Sequence, residues 1–317
     1  VADTNPEQLK DAPEGVETYA NIDEMLANAD INVVMVSTPN PSHPEMVKKA
    51  AAAKKHVICE KPAAMSVAEY DEMVAACEEN GVIFTVHQQR RWDKDYRIMK
   101  EVYDKSMVGD MYIIKSQLYG VNGNMHDWHI YPEMGGGMLY DWGVHLIDQM
   151  LDMVKSKIVS LYADVQNVIN ENVDDYFKII MKFENGVTAE IELGTYYLTP
   201  KRAWFIGGNK GSALIDGFAG EGKIVRTAHL LENVPGKITM TAAGPTRSFG
   251  PPEPGLLSEE PLPEVNVDHR NYFEHFLKAF NGEEDIIIKP EQVRRVLCVM
   301  DAVRESAKTG KAIAFEG

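Results

Sequence analysis

Three short apolar runs near the start of the chain limit its fold most. Residues 31–37 (INVVMVS), 56–59 (HVIC) and 82–86 (VIFTV) are rich in β-branched side chains and show little polar alternation. A strand with one wet face alternates, so these runs predict strands covered on both faces. Residues 44–54 and 66–80 read as helices between them, and residues 93–106 as a third. Ser66 with Glu69 three positions later is a capping-box signature, and Asn80-Gly81 stops that helix. Strands and helices in alternation predict a parallel sheet with helices on both sides.

Beyond residue 110 the pattern changes. Residues 111–119, 158–165, 176–183 and 187–196 are longer runs with partial alternation, and ENGV at 184–187 is a hairpin turn signal. They predict a large, mostly antiparallel open sheet, interrupted early by a helix over 137–153. Residues 217–267, rich in Gly and Pro, read as a long irregular excursion, and helices over 269–281 and 290–308 close the chain. With 317 residues, two domains are expected at about 150 residues each. The fold class is therefore α/β: a doubly wound parallel sheet over 1–108, then an α+β domain over 109–317. The C-terminal helix is expected to pack back on the first domain.

The bulk numbers exclude some functions. Thirty-two basic residues against 48 acidic give a net charge of −16, which repels nucleic-acid backbones. No run approaches the ~18 apolar residues that span a membrane. The three cysteines, Cys59, Cys77 and Cys298, show no metal or CxxC spacing, as expected of reduced thiols in a cytoplasmic protein. The chain opens VADTNPEQLK, which reads as the tail of a strand, so a preceding segment is expected.

Doubly wound sheets bind ligands beyond the carboxyl ends of their strands. Two motifs sit at such ends. STPNPSH at 37–43 follows the first run; its hydroxyls and amides suit a ribose or a nicotinamide amide, or simply cap a turn. EKP at 60–62 follows the second. Pro62 holds Lys61 extended, and a cis bond there would point the ammonium sideways into a crevice. A lysine beside a cationic nicotinamide can exchange a proton during alcohol oxidation, and Glu60 can hold the cofactor ribose. The alternative is an ordinary surface lysine. Asp3, after two apolar residues, sits where an acidic group would bind the adenosine ribose, or is merely solvated.

The second constellation is EMGGGMLYDWGVHLIDQM at 133–150. Three glycines allow close backbone approach before a helix. Asp141 and His145 are four apart and Asp148 three further, which places all three on one helical face. The residues around them are apolar, so the helix is expected to be buried and its polar groups partnered. Either Asp141 orients His145 as an acid–base at a substrate, or the two only fix packing. No third ligand stands at metal spacing, so no metal is expected.

Together VVMVSTPNPSHPEMVKKAAAAKKHVICEKP and GGGMLYDWGVHLID resemble the Gfo/Idh/MocA family, that of glucose–fructose oxidoreductase and inositol dehydrogenase. The resemblance covers essentially the whole chain. It implies an NAD(P)-binding Rossmann domain, here N-terminally truncated and lacking the glycine-rich loop, joined to a substrate and oligomerisation domain. It implies Lys61, Asp141 and His145 as catalytic residues. It places Asp3, Thr38, Asn40, His43, Glu60 and Gln89 at the cofactor, and Arg91, Trp128 and His129 at the substrate. NAD is expected over NADP because Asp3 would repel a 2′-phosphate. The implied activity is hydride transfer between nicotinamide and a hydroxyl of a sugar, polyol or glycoside. Two alternatives stand beside it: NAD-assisted glycoside processing, by keto-sugar formation or hydrolysis, and a non-catalytic ligand sensor on the same scaffold. A homodimer or homotetramer through the C-terminal sheet is expected, with neither nucleic acid nor membrane as partner.

Overall fold

The structure, a computed structural model, describes residues 1–121, 123, 125–229, 237–248 and 254–315. Its first layer is a three-stranded parallel sheet of β1 (Val33–Val36), β2 (His56–Cys59) and β3 (Phe84–Val86), in that spatial order. Two small helices, α1 (Pro6–Leu9) and α2 (Ile22–Asn28), precede it. Helices α3 (His43–Ala52) and α4 (Val67–Asn80) make the crossovers, and α5 (Lys94–Asp104) follows the last strand. All three strands are short; Val57, Cys59 and Val86 have no exposed surface, whereas Met35 on the edge strand β1 is 42% exposed, so that strand is covered on one face only. The α4 boundaries follow local chemistry. Ser66 Oγ accepts from Glu69 N at 3.3 Å, Glu69 reaches back to Met65 N, and Gly81 closes the helix at φ 67°.

The second layer is a nine-stranded sheet. Its strands are β4 (Met111–Tyr119), β5 (Ile158–Gln166), β6 (Tyr176–Phe183), β7 (Thr188–Gly194), β8 (Trp204–Gly208), β9 (Gly211–Ile215), β10 (Gly222–Thr227), β13 (Leu257–Glu260) and β14 (Ile313–Ala314). A separate hairpin joins β11 (Lys237–Thr241) to β12 (Gly244–Ser248). The spatial order is β13-β10-β9-β8-β4-β7-β6-β5-β14, antiparallel throughout except for the parallel pair β4–β7. Gly186 at φ 90° turns the ENGV hairpin between β6 and β7. The stretch over 217–267 is more regular than its composition suggested, since it supplies two strands to this sheet and a hairpin of its own. Part of that stretch, 230–236 and 249–253, lies outside the described residues.

Three helices pack between the two sheets or against them: α6 (Val144–Met153), α7 (Arg270–Phe280) and α8 (Pro290–Thr309). Helix α8 lies on α4 and β3 of the first layer and on β5 of the second, so it clamps both. Ser306 Oγ on α8 accepts from Ala163 N at 2.9 Å and donates to Lys311 O at 2.7 Å. Among the described residues, no helix is long and apolar enough to cross a membrane.

A buried carboxyl links α5 to the second sheet. Asp95 Oδ2 accepts from Trp204 Nε1 at 2.9 Å, while Oδ1 is buried without a partner among the described residues. Burial pushes this carboxyl up to about 6. A carboxyl raised in the folded state favours folding below pH 3.8, and that contribution is lost as pH rises through about 6. Asp95→Asn should therefore gain stability relative to the parent protein as pH rises from 4 to 7, by about 3 kcal/mol. Urea unfolding of both proteins across that range measures the difference, and parallel pH curves would contradict it.

Candidate active site

The site forms where the carboxyl ends of β1, β2 and β3 meet the N-terminal part of the α6 segment. The chain leaves β2 through Glu60-Lys61-Pro62, and the Lys61–Pro62 peptide is cis. Lys61 Nζ donates to Asp141 Oδ1 at 2.7 Å and to the Asp141 carbonyl at 2.8 Å. Both side chains keep less than a fifth of their surface exposed, 16% and 18%. One ammonium thus spans 80 positions of sequence and joins the two layers. His129 Nε2 approaches the other Asp141 oxygen at 3.6 Å, and Trp128 stacks on the His129 ring at 3.8 Å.

Asp141 and His145 are not partners. Residues Leu139–Gly143 form a π-helical turn before α6 begins. This wider turn shifts the phase, so four residues no longer return to the same face. The expected Asp141–His145 pair is replaced by two separate bonds. His145 Nδ1 lies 2.9 Å from Gln88 Oε1; the amide oxygen accepts, so Nδ1 carries the proton and Nε2 is the free base. The ring is 2% exposed. Burial holds it well below the usual histidine range, and the nearby charges of Lys61 and Arg90 push the same way. The result is a neutral imidazole near a lysine.

The turn after β3 holds α6 at three points. Besides Gln88 to His145, Gln149 Nε2 donates to the Arg90 carbonyl at 2.7 Å. Arg91 grips Asp148 with two bonds, at 2.7 and 2.6 Å. Arg91 was expected at the substrate, but its guanidinium is 4% exposed and bonded to Asp148 and Gln292. Asp148, expected on the face of Asp141, instead completes this pair.

The predicted cofactor residues fall into two groups. Thr38 is exposed at the end of β1, its hydroxyl accepting from Ser42 Oγ at 2.7 Å. Glu60 accepts from His87 Nδ1 at 2.7 Å and from Lys61 N at 3.2 Å. Burial raises its pKa, but the His87 hydrogen bond and charge together with Lys61 outweigh this and hold the carboxyl below its ordinary range. Asp3 follows the bridge of Ala2 to Tyr19, and its Oδ1 accepts from Asn5 N at 2.7 Å. These three keep carboxylate or hydroxyl oxygens in reach of a ligand.

His43 and Asn40 do not. His43 is fully buried, with Nε2 at 2.8 Å from Thr38 O and Nδ1 at 3.1 Å from Pro62 O. Its ring ties the β1 loop to the β2 loop and leaves no polar atom for a cofactor. Asn40, 5% exposed, donates to Met134 O at 3.0 Å and stitches the first layer to the glycine turn. That turn is close-packed. A Cβ on Gly135 (φ 75°) would sit 2.6 Å from the Asn40 amide nitrogen, and one on Gly137 (φ 97°) 2.2 Å from Asp174 Oδ1. Asp174, which the sequence reading missed, accepts from Leu139 N at 2.7 Å and so fixes the start of the π turn. Gln88 was missed too: QQR offers two adjacent amides, and the choice fell on Gln89.

Family models match both layers: "Oxidoreductase family, NAD-binding Rossmann fold" over residues 1–88, and "GFO/IDH/MocA C-terminal domain" over 96–214. An NAD-binding protein from Listeria innocua is 32% identical in sequence, with a TM-score of 0.88 over 95% of this chain and 87% of that one. The chain belongs to the GFO/IDH/MocA family. Uncharacterized oxidoreductase C115.03 of Schizosaccharomyces pombe is 27% identical over 96% of this chain and 87% of that protein. The scyllo-inositol 2-dehydrogenase (NADP(+)) IolW of Bacillus subtilis is 25% identical over 98% and 86%.

Whether the residues present suit a nicotinamide is testable on the structure. Gln88 Nε2 and Gln89 Oε1 are buried and have no partner among the described residues. A donor and an acceptor on consecutive residues, one of them bonded to His145, match the two polar ends of a carboxamide. The residues fit the nicotinamide end of the cofactor. A cradle for the pyrophosphate is not among them, since the 317 residues contain no G-x-G-x-x-G.

The His145 geometry has a direct readout. Ring nitrogen NMR should show the Nδ1–H tautomer and no titration around pH 6.5, the ordinary histidine midpoint. A His145 ring half-protonated at that pH would contradict the assignment.

Proposed function

We propose that the chain is an NAD-dependent oxidoreductase acting on a hydroxyl of a sugar, polyol or glycoside. The observation that carries this reading is the Lys61–Asp141 contact of 2.7 Å beside a neutral His145. Alcohol oxidation needs a group that takes the hydroxyl proton while hydride leaves carbon. Bound nicotinamide supplies the hydride acceptor. Lys61 Nζ donates a hydrogen bond to the substrate oxygen and stabilises the negative charge that develops there as the hydroxyl proton passes to His145 Nε2. Asp141 holds that ammonium in line, and His145 Nε2 serves as the base. Gln88 acts through His145 by fixing its tautomer. His129 and Trp128 border the same space and position the sugar. A polyol substrate agrees with the activity in IolW's name. NAD in preference to NADP rests on Asp3, whose carboxylate favours a ribose diol over a 2′-phosphate.

A second copy of the chain is the partner proposed for the large sheet. Tyr112, Val159 and Tyr162 stand on its strands at 59%, 46% and 42% exposure, beside the ion-paired Lys115, Lys178 and Glu190, a mixed face of the kind that covers a second copy. Light scattering at micromolar concentration measures it.

The activity test is nicotinamide reduction against a panel of inositols, sugars and glycosides. Lys61→Met and His145→Ala should each lower kcat by about 10²–10⁴-fold with a smaller change in KM. Gln88→Leu should lower kcat less and move the pH–rate profile. Quenching of NADH fluorescence without turnover on any hydroxyl, or full activity in Lys61→Met, would overturn the reading in favour of a sensor.

A further inference from the structure

One turn beyond Gln88 and His145 lies a cavity of about 420 Å³ that the site above does not use. Its charged lining consists of Arg91, Asp148, Asp152, Lys155, Lys157 and Arg295. Neither Gln88 nor His145 borders it. The cavity opens to solvent between the C-terminal end of α6, the loop after it, and the first turns of α8. We propose that it binds a phosphate group, carried by a small phosphorylated metabolite or free.

Charge is the first argument. Four cationic side chains against two carboxylates leave two positive charges around one cavity, in a chain whose net charge is −16. The Arg91–Asp148 pair is self-contained, with two hydrogen bonds between its members. The surplus therefore lies in Lys155, Lys157 and Arg295, and none of these forms an ion pair with a described residue. Asp152 offsets part of it at a distance, its oxygens lying 3.6 Å from Arg91 and 2.5 Å from the Tyr96 hydroxyl, so two positive charges remain.

Arg295 also carries an unmet donor. Arg295 gives one guanidinium nitrogen to Ser156 O at 2.7 Å, but its Nε is buried with no partner among the described residues. Burial lowers the pKa of this arginine, and no carboxylate offsets the effect. The orphan Nε–H is itself shielded from the cavity, but a half-buried guanidinium whose charge no carboxylate offsets is costly unless an anion meets its exposed edge. A phosphate dianion matches the surplus charge, and its oxygens accept from a guanidinium edge and two flexible ammonium groups together. The cavity falls in the size range of small-ligand sites, so it has room for an organic ester.

Isothermal titration of the intact chain at fixed ionic strength tests this, with inorganic phosphate and glycerol phosphate as probes. Saturable binding at one site per chain is expected. Tighter binding of the ester would assign a phosphorylated metabolite, and equal affinity would assign free phosphate. Arg295→Met should weaken either ligand by about tenfold or more. Lys157→Gln, at an exposed position that the fold does not need, should weaken it several-fold. Lys210→Gln, an exposed lysine away from the cavity, should leave it unchanged. Absence of saturable binding, or affinities that Arg295→Met and Lys157→Gln both leave unaltered, would overturn the proposal.

Discussion

The buried pair of Arg91 and Asp148 is the constraint on which the arrangement of the two layers depends. A bidentate guanidinium–carboxylate contact tolerates little displacement in either distance or plane. Its two members sit on the turn after the last parallel strand and on the middle of α6, 57 positions apart in sequence. Removing either partner would leave a charge buried without compensation, a loss of about 3–5 kcal/mol. With that pair set, the Gln149 bond to the Arg90 carbonyl and the Gln88 bond to His145 fall into register along the same helix. The helix that carries the imidazole is therefore aligned to the strand ends by contacts that lie behind the reacting groups.

On the open side the alignment is completed by smaller devices. His43 ties the loop after β1 to the loop after β2. Asn40 ties the first of these to the glycine turn, and Asp174 anchors the backbone at Leu139. Tyr140 is held from two further elements, with its hydroxyl donating to Met65 O and its ring under Arg304. None of these residues needs to touch a ligand. Their common effect is to make Lys61 and Asp141 meet at hydrogen-bonding distance without help from a substrate.

Much of this was legible in the sequence. Strands β2, β4 and β6 stand where continuous or partly alternating apolar residues placed them, and α4 starts and stops at its predicted caps. The meeting of Lys61 with Asp141 was also anticipated, through EKP and GGGMLYDWGVH. What the sequence did not carry is the direction in which polar side chains turn. Arg91 and His43 are the residue types of a ligand site, yet both spend every hydrogen bond on the protein. Nothing in QQR separates Gln88 from Gln89, because the chain leaves the strand there and alternation no longer applies. The strands within 217–267 escaped notice because Gly and Pro interrupt the alternation there; β10 pairs with the neighbouring β9 and β11 with β12, so pairing rather than composition decides them.

The π turn at Leu139–Gly143 also has an electrostatic consequence. Had the backbone stayed α-helical, a carboxylate one turn away would have drawn a proton onto the imidazole and kept it there. By steering Asp141 toward the lysine, the extra residue insulates His145 from the nearest negative charge. The carboxylate that holds the ammonium and the imidazole that serves as base are thereby presented by a single helical segment without pairing with each other.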